Sequence, residues 1–354
     1  ISGVTIIDVG TNDAGSEIII TAASPLTIDQ AVVNNDGGDI TLAAEGITTA
    51  DDLTINANIT ATGGTGDIYL YAGDDVTQNG GTKISAVSTG AVNIFAGQDY
   101  AGGTPAIGNQ SGFFSQNSTS EVASEDGNIS IIATNDIDVA EIDADDNGDG
   151  TRGNVVLHAG DITFGAGSVG GINNSGGTGT RPHVIANDVE MRATDDIGWP
   201  GNGPVHFAID ATTLDVNISG DVVAILESID PLADGLQVDQ LVVSGTGGAN
   251  VDAQGIFLQS VGTGAIDIAG TVSSAGVITI STSGSITNSA GSITASNHAT
   301  FAGGGIQLRA GDGVGTDATA INTVTGNLAA NTTTGDIVVS NTGALNITTV
   351  GTQA

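Results

Sequence analysis

No cysteine occurs among the 354 residues, so disulfide staples and thiolate metal sites are excluded and packing must hold the fold. Aromatic residues are scarce as well, at 3% against 39% hydrophobic residues overall, so any core here is aliphatic. Only five cations, Lys83, Arg152, Arg181, Arg192 and Arg309, stand against 40 acidic residues, for a formal net charge of −35. Such a surface repels nucleic acid and anionic membrane and favours divalent cations. Most of the acids are scattered, as in a solubilising coat. No apolar run approaches the roughly 18 residues of a membrane helix, so no membrane insertion is expected. The chain opens Ile1-Ser2-Gly3, with neither methionine nor a basic-then-apolar leader, and reads as a mature product or an excised piece.

Glycine, by contrast, is abundant, with 55 copies, and much of it recurs at fixed places in a repeat. The clearest unit is Gly66-Asp67-Ile68-Tyr69-Leu70-Tyr71-Ala72-Gly73-Asp74-Asp75-Val76. Variants lie at residues 38–47, 90–100, 127–137, 153–162, 187–197 and 305–314, with a looser one at 335–345. Strand side chains alternate between faces, so Ile68, Leu70 and Ala72 point inward while Tyr69 and Tyr71 point outward. Aligned copies give an inward ladder of Ile40, Ile68, Val92, Ile129, Val155, Val189, Ile306 and Ile337. A second runs Leu42, Leu70, Ile94, Ile131, Leu157, Met191, Leu308 and Val339. The third rung is alanine from Ala44 to Ala310, a small residue before a Gly/Asp corner. Helical periodicity is missing. Agreement rung by rung is what stacked coils require, because each coil buries its apolar face only against its neighbours.

The expected fold is therefore all-β, a right-handed parallel β-helix (β-solenoid) with corner-loop insertions. Residues 1–354 read as a single elongated solenoid with sub-repeats at 1–186 and 187–354. The strand starts advance irregularly from residue 40 to 68, 92, 129, 155 and 189, implying coils of about 25 residues with insertions at 101–124, 142–153 and 165–183. Within the first insertion, the pair Phe113-Phe114 reads as a buried loop anchor or an exposed contact. Between Trp199 and Leu241 the unit blurs, and Val222 to Leu226 fits a strand or one helical turn. A larger repeat matches Met191–Gly198 to Leu308–Gly315, each followed by a Gly-Asp-aliphatic strand at Gly220 and at Gly335. It places Arg192 and Arg309 at one structural position, where bridges to corner aspartates such as Asp195 or Asp312 are expected.

One short motif carries recognisable chemistry. Asp143, Asp145, Asn147, Asp149 and Thr151 occupy alternate positions around Gly148, the layout by which an acidic loop wraps a hard cation. Calcium is the candidate cofactor and an ordinary solvated turn the alternative. Position 12 is Asn154 rather than glutamate, so Glu141 is a candidate for the missing carboxylate. The pairs Asp51/Asp52, Asp74/Asp75 and Asp195/Asp196 read as turn chemistry. The second outward position of the repeat runs Tyr71, Phe95, Ile132, His158, Arg192 and Arg309, a stripe of bulky and basic groups. It is a candidate contact surface for a corner loop, a neighbouring subunit or a glycan, or else ordinary stacking of exposed side chains. The histidines His158, His183, His206 and His298 occur singly, as surface or loop residues do.

These Gly-Asp-Ile strands, Ala-Gly-Asp-Asp corners and Gly-Asp-Gly-Val-Gly turns resemble the repeats of large bacterial exoproteins of the filamentous haemagglutinin type. The resemblance implies a secreted right-handed parallel β-helix at the bacterial surface or outside the cell, acting as an adhesin or surface fibre. A self-associating fibre subunit or segment, joined head to tail or laterally, is the leading expectation. Next is a carbohydrate- or cell-binding adhesin domain that does not polymerise. A carbohydrate-active enzyme on a β-helix ranks third, since no nucleophile elbow, phosphate loop or paired basic constellation is seen and the cations are dispersed.

Overall fold

The computed structural model describes residues 15–23, 25–100, 106–107, 111–160, 170–175, 183–198, 207–227, 235–244, 255–261, 263–296 and 305–347. Among these there is no helix; the chain forms a parallel β-helix, as its periodicity predicts. Two compact units, Ile1–Val189 and Glu190–Ala354, partition it.

In the first unit each coil is built of three short strands separated by tight corners, for example Ile68–Ala72, Val76–Gln78 and Lys83–Ala86, before the next coil begins at Val92. Every coil lies in parallel register on its neighbour, so like residues stack on like. On the first face the register runs Ile18, Ile40, Ile68, Val92, Ile129, Val155. The second face stacks Leu26, Leu53, Val76, Phe114, Ile137 and Ile172. The third stacks Val32, Ile59, Ile84, Val122, Ile142 and Val184. Past the first coil these rungs are fully buried. At roughly 1.5–3 kcal/mol for each buried aliphatic side chain, the ladders are the main stabilising term.

The glycine that opens each repeat has a reason only the stack reveals. A Cβ on Gly38, Gly66, Gly90, Gly127 or Gly153 would run into the carbonyl oxygen of the equivalent residue one coil earlier, namely Ser16, Gly38, Gly66, Gly90 and Gly127. The five glycines thus form a spine along which the backbones approach too closely for any side chain. Corner acids provide a second coil-to-coil link. Asp39 Oδ1 accepts from Asp67 N (2.8 Å) and Asp67 Oδ1 from Ala91 N (2.7 Å). Likewise Asp52 Oδ1 accepts from Asp75 N (3.3 Å) and Asp75 Oδ1 from Phe113 N (2.8 Å). Buried glutamines provide a third. Gln116 Nε2 donates to Ser120 O (3.2 Å) and Glu141 O (2.8 Å), while its Oε1 accepts from Ala140 N (2.8 Å) and Glu141 N (3.1 Å).

The insertions are shorter than the irregular spacing suggests. Phe114–Gln116 and Glu121–Ser124 are strands of the second and third faces, paired with Val76–Gln78 and Lys83–Ala86, so 101–124 is only partly a loop. The alternation Phe114 in, Ser115 out, Gln116 in reproduces Val76, Thr77, Gln78, and Phe114 takes the core place held by Val76. Phe113 faces outward. Strands Ile142–Asp143 and Ile172–Asn174 trim the other two insertions in the same way.

In the second unit the strands lengthen, with Phe207–Ile218, Leu236–Val243 and Ile266–Ser274 the longest, and Val222–Glu227 is a strand. One inward ladder runs Ile197, Val223, Ile256, Ile278, Ile306, Leu328, Ile347. A second runs Leu236, Ile266, Ile286, Val314, Ile337. This corrects the sequence alignment: Ile337 and Val339 do not continue the rungs of Ile306 and Leu308 but pair with Val314 and Ile321, and Leu328 and Ala330 take the places below Ile306 and Leu308. The strand Asn327–Thr332 has no Gly-Asp opening, so the repeat pattern does not mark it. The nested repeat does not mark one structural position: Ile197 opens the ladder that leads to Ile306 and so to the strand of Arg309, whereas its sequence counterpart Val314 stands on the other ladder, with Ile286 and Ile337.

Candidate functional site

The five residues of the proposed cation loop are joined by hydrogen bonds of the loop itself. Asp143 is buried, and its Oδ1 accepts from Asp145 N (2.9 Å). Asp145 faces Arg152 Nε at 3.5 Å and also accepts from Gly150 N (3.3 Å). Asn147 Oδ1 accepts from Asp149 N (3.0 Å), and Asp149 Oδ1 from Thr151 N (2.7 Å). Alternate-position side chains are thus consumed in turns that brace the loop's own backbone. The carboxylates gathered round Asp143 are Glu121 and Glu141, with ligand oxygens all within 4.8 Å of one another. Lys83 Nζ lies 3.2 Å from Glu121 and 2.6 Å from Asp146, tying this cluster to the loop and supplying part of its counter-charge. The Lys83 pKa is raised; burial acts against that, and the hydrogen bond it donates to Asp146 and the charges of Glu121 and Asp146 prevail.

A second trio, Asp52, Asp74 and Asp75, lies at a corner with the same 4.8 Å closeness. Burial pushes the Asp75 carboxyl up, against its hydrogen bond from Phe113 N. Both trios offer hard oxygen donors of the kind calcium accepts, and Asp52 and Asp75 also serve the coil-to-coil hydrogen bonding described above. Asp196 follows the corner rule, accepting from Asp221 N (2.7 Å) and Val222 N (2.8 Å), and burial raises its pKa.

The outward stripe is only partly an exposed surface. Tyr71, Phe95, Ile132 and His158 do stand in one register row of the first unit. Tyr71 is 6% exposed, however, because Phe95 stacks on it with centroids 4.9 Å apart and Tyr100 covers it at 4.6 Å. Tyr100 opens the 101–124 insertion, so at Tyr71 a corner element of the same chain occupies the face. Tyr69, one row along, donates to Asp67 Oδ2 at 2.9 Å, and burial together with that acid raises its pKa to about 12. His183 is buried rather than a surface residue, and burial lowers its pKa. Arg181, His206 and His298 lie outside the described residues.

The two repeat-related arginines of the second unit differ in their partners. Arg192 forms a bidentate pair with Asp215, Nη1 to Oδ1 at 3.0 Å and Nη2 to Oδ2 at 2.9 Å, and lies 3.5 Å from Glu190. The expected corner partner Asp195 is not the one used, because the outward side chain reaches along the stack to the next coil. Arg309 has no carboxylate partner among the described residues, and its register neighbours are Ser281 and Asn331. With the Gln307 amide oxygen turned toward it, that oxygen accepts from Arg309 Nη2 (2.8 Å) and Nε (3.2 Å). Arg309 lines an open groove of about 910 Å³ together with Gln307, Asn331, Thr333, Thr334 and Asp312. The repeat places both arginines in the sequence, but the carboxylate of one and the groove of the other depend on what the following coil presents.

Comparison of the chain with protein-family models, curated proteins and solved structures finds no match. No helix among the described residues is long and apolar enough to cross a membrane.

Proposed function

We propose that this chain is an extracellular structural protein, a self-associating subunit or segment of a bacterial surface fibre. What supports this reading is the parallel register of the coils, in which each inward rung lies on its counterpart one coil earlier and backbone pairs with backbone along the stack. A stack that grows by adding equivalent coils gives an open-ended assembly rather than a closed one. In the same reading calcium would be held by Glu121, Glu141 and Asp143, stiffening the loop that follows.

Electron microscopy of the purified chain at neutral pH, with calcium and then with a chelator, tests this. Uniform filaments that persist on dilution are expected, and isolated particles under both conditions would refute self-association. Filaments lost on chelation would assign calcium an assembly role. A second reading, a glycan-binding domain, is favoured by the groove at Arg309.

A further inference from the structure

We infer that the groove at Arg309 binds an acidic saccharide, engaging one of its carboxylates. Arg309 is exposed and has no carboxylate partner among the described residues, which is unusual in a chain of net charge −35. Arg192, on another ladder, is neutralised by Asp215, whereas the coil beneath Arg309 presents the neutral amide of Asn331. The Gln307 oxygen holds Nη2 and Nε and leaves the other edge of the fork to a ligand. A planar fork matches a carboxylate through two parallel hydrogen bonds.

The rest of the lining narrows the ligand class. Asn331, Thr333 and Thr334 offer amide and hydroxyl groups of the sort that read sugar hydroxyls. Thr334 Oγ1 is within reach of Gly311 O (3.2 Å) and Asp312 Oδ1 (3.4 Å), which fixes the acid at the groove wall. One cation beside one carboxylate, on a strongly acidic protein, favours a singly charged group over a doubly charged phosphate. The planar fork and the hydroxyl and amide lining fit a carboxylate on a polyhydroxylated body. The groove wall includes Ile347 of the last described coil, so this inference rests on the glycan-binding reading and not on growth across that coil.

Isothermal titration calorimetry with tetragalacturonate, its fully methyl-esterified form and acetate tests it. The acid tetramer is expected to bind, with affinity falling by at least about tenfold for the ester, for acetate and for Arg309→Gln, and by less for Arg309→Lys. Arg192→Gln, an equal change of net charge away from the groove, should retain binding. Because Arg309 is exposed, its variants should keep the wild-type circular dichroism and melting profile. Failure of the acid tetramer to bind at millimolar concentration, equal binding of the ester, or full binding by folded Arg309→Gln would each overturn the assignment. Equal binding of acetate would reduce the groove to a carboxylate cleft and would overturn the saccharide.

Discussion

Replacing Gly127 by alanine isolates the glycine spine as a stabilising requirement of the first unit. The added methyl would overlap the carbonyl oxygen of Gly90, lie 2.7 Å from the Gly90 carbonyl carbon and 2.7 Å from Ser124 Oγ. Ser124 cannot step aside cheaply, since its buried hydroxyl donates to Gly90 O (2.8 Å) and accepts from Gly127 N (2.8 Å). Nor can the coils separate, because the neighbouring register pairs from Val92–Ile129 to Ala96–Ala133 hold them at sheet spacing. Overpacking against rigid backbone costs about 3 kcal/mol, the upper part of its usual range. For a unit of this size that is a fall in melting temperature of about 6–12 °C. Gly313 is the control, with only ordinary contact to Asp336 O at 3.4 Å, and Gly313→Ala should stay within about 0.5 kcal/mol of wild type. Urea and thermal unfolding followed by far-ultraviolet circular dichroism measure both. A Gly127→Ala protein as stable as the Gly313→Ala protein would refute the spine.

Gln116→Ala removes a side chain that serves two carbonyls and two backbone N–H groups inside the stack. It should cost about 2–3 kcal/mol in urea unfolding, and a loss no larger than that of an outward-facing, half-buried Ser115→Ala control would contradict the cross-coil role. Tyr71→Ser removes a buried, doubly stacked ring and should lower stability by about 3 kcal/mol, so thermal melts should fall before any assembly assay is read. With pH the sign is unusual. Burial raises the carboxyl pKa values of Asp75, Asp138 and Asp196, so the native state binds protons more tightly than the unfolded chain. Stability from these groups rises as pH falls through the raised values toward about 4 and is lost again as pH climbs back through them. His183 opposes this, because its lowered pKa makes the unfolded chain the better proton binder, and its contribution is lost as pH falls from about 6.5 through the lowered value. A urea midpoint higher at pH 4.5 than at pH 7, with a larger rise in His183→Gln, is the expected outcome; a lower midpoint at pH 4.5 in both proteins would reject it.

The inward ladders of the first unit are legible in the residue pattern alone. Alternation is a local property, and in a solenoid the residue that stacks on Ile68 is simply its counterpart one coil on, so Ile40, Ile68, Val92, Ile129 and Val155 could be aligned without coordinates. The alanine rungs and the Gly/Asp corners were legible for the same reason. The exact roles of glycine and the acids were not. That Gly127 must lack a Cβ depends on a carbonyl in another coil, and that Asp67 accepts from Ala91 N depends on register across a corner. Strands without the repeat's signature, Phe114–Gln116 and Asn327–Thr332, were hidden because their only marker is the neighbour they pair with. Arg192 and Arg309 sum this up: one sequence motif marks both, yet they stand on different ladders, and one meets Asp215 and the other Asn331, because an outward side chain takes its partner from the adjacent coil, which register and not the motif selects.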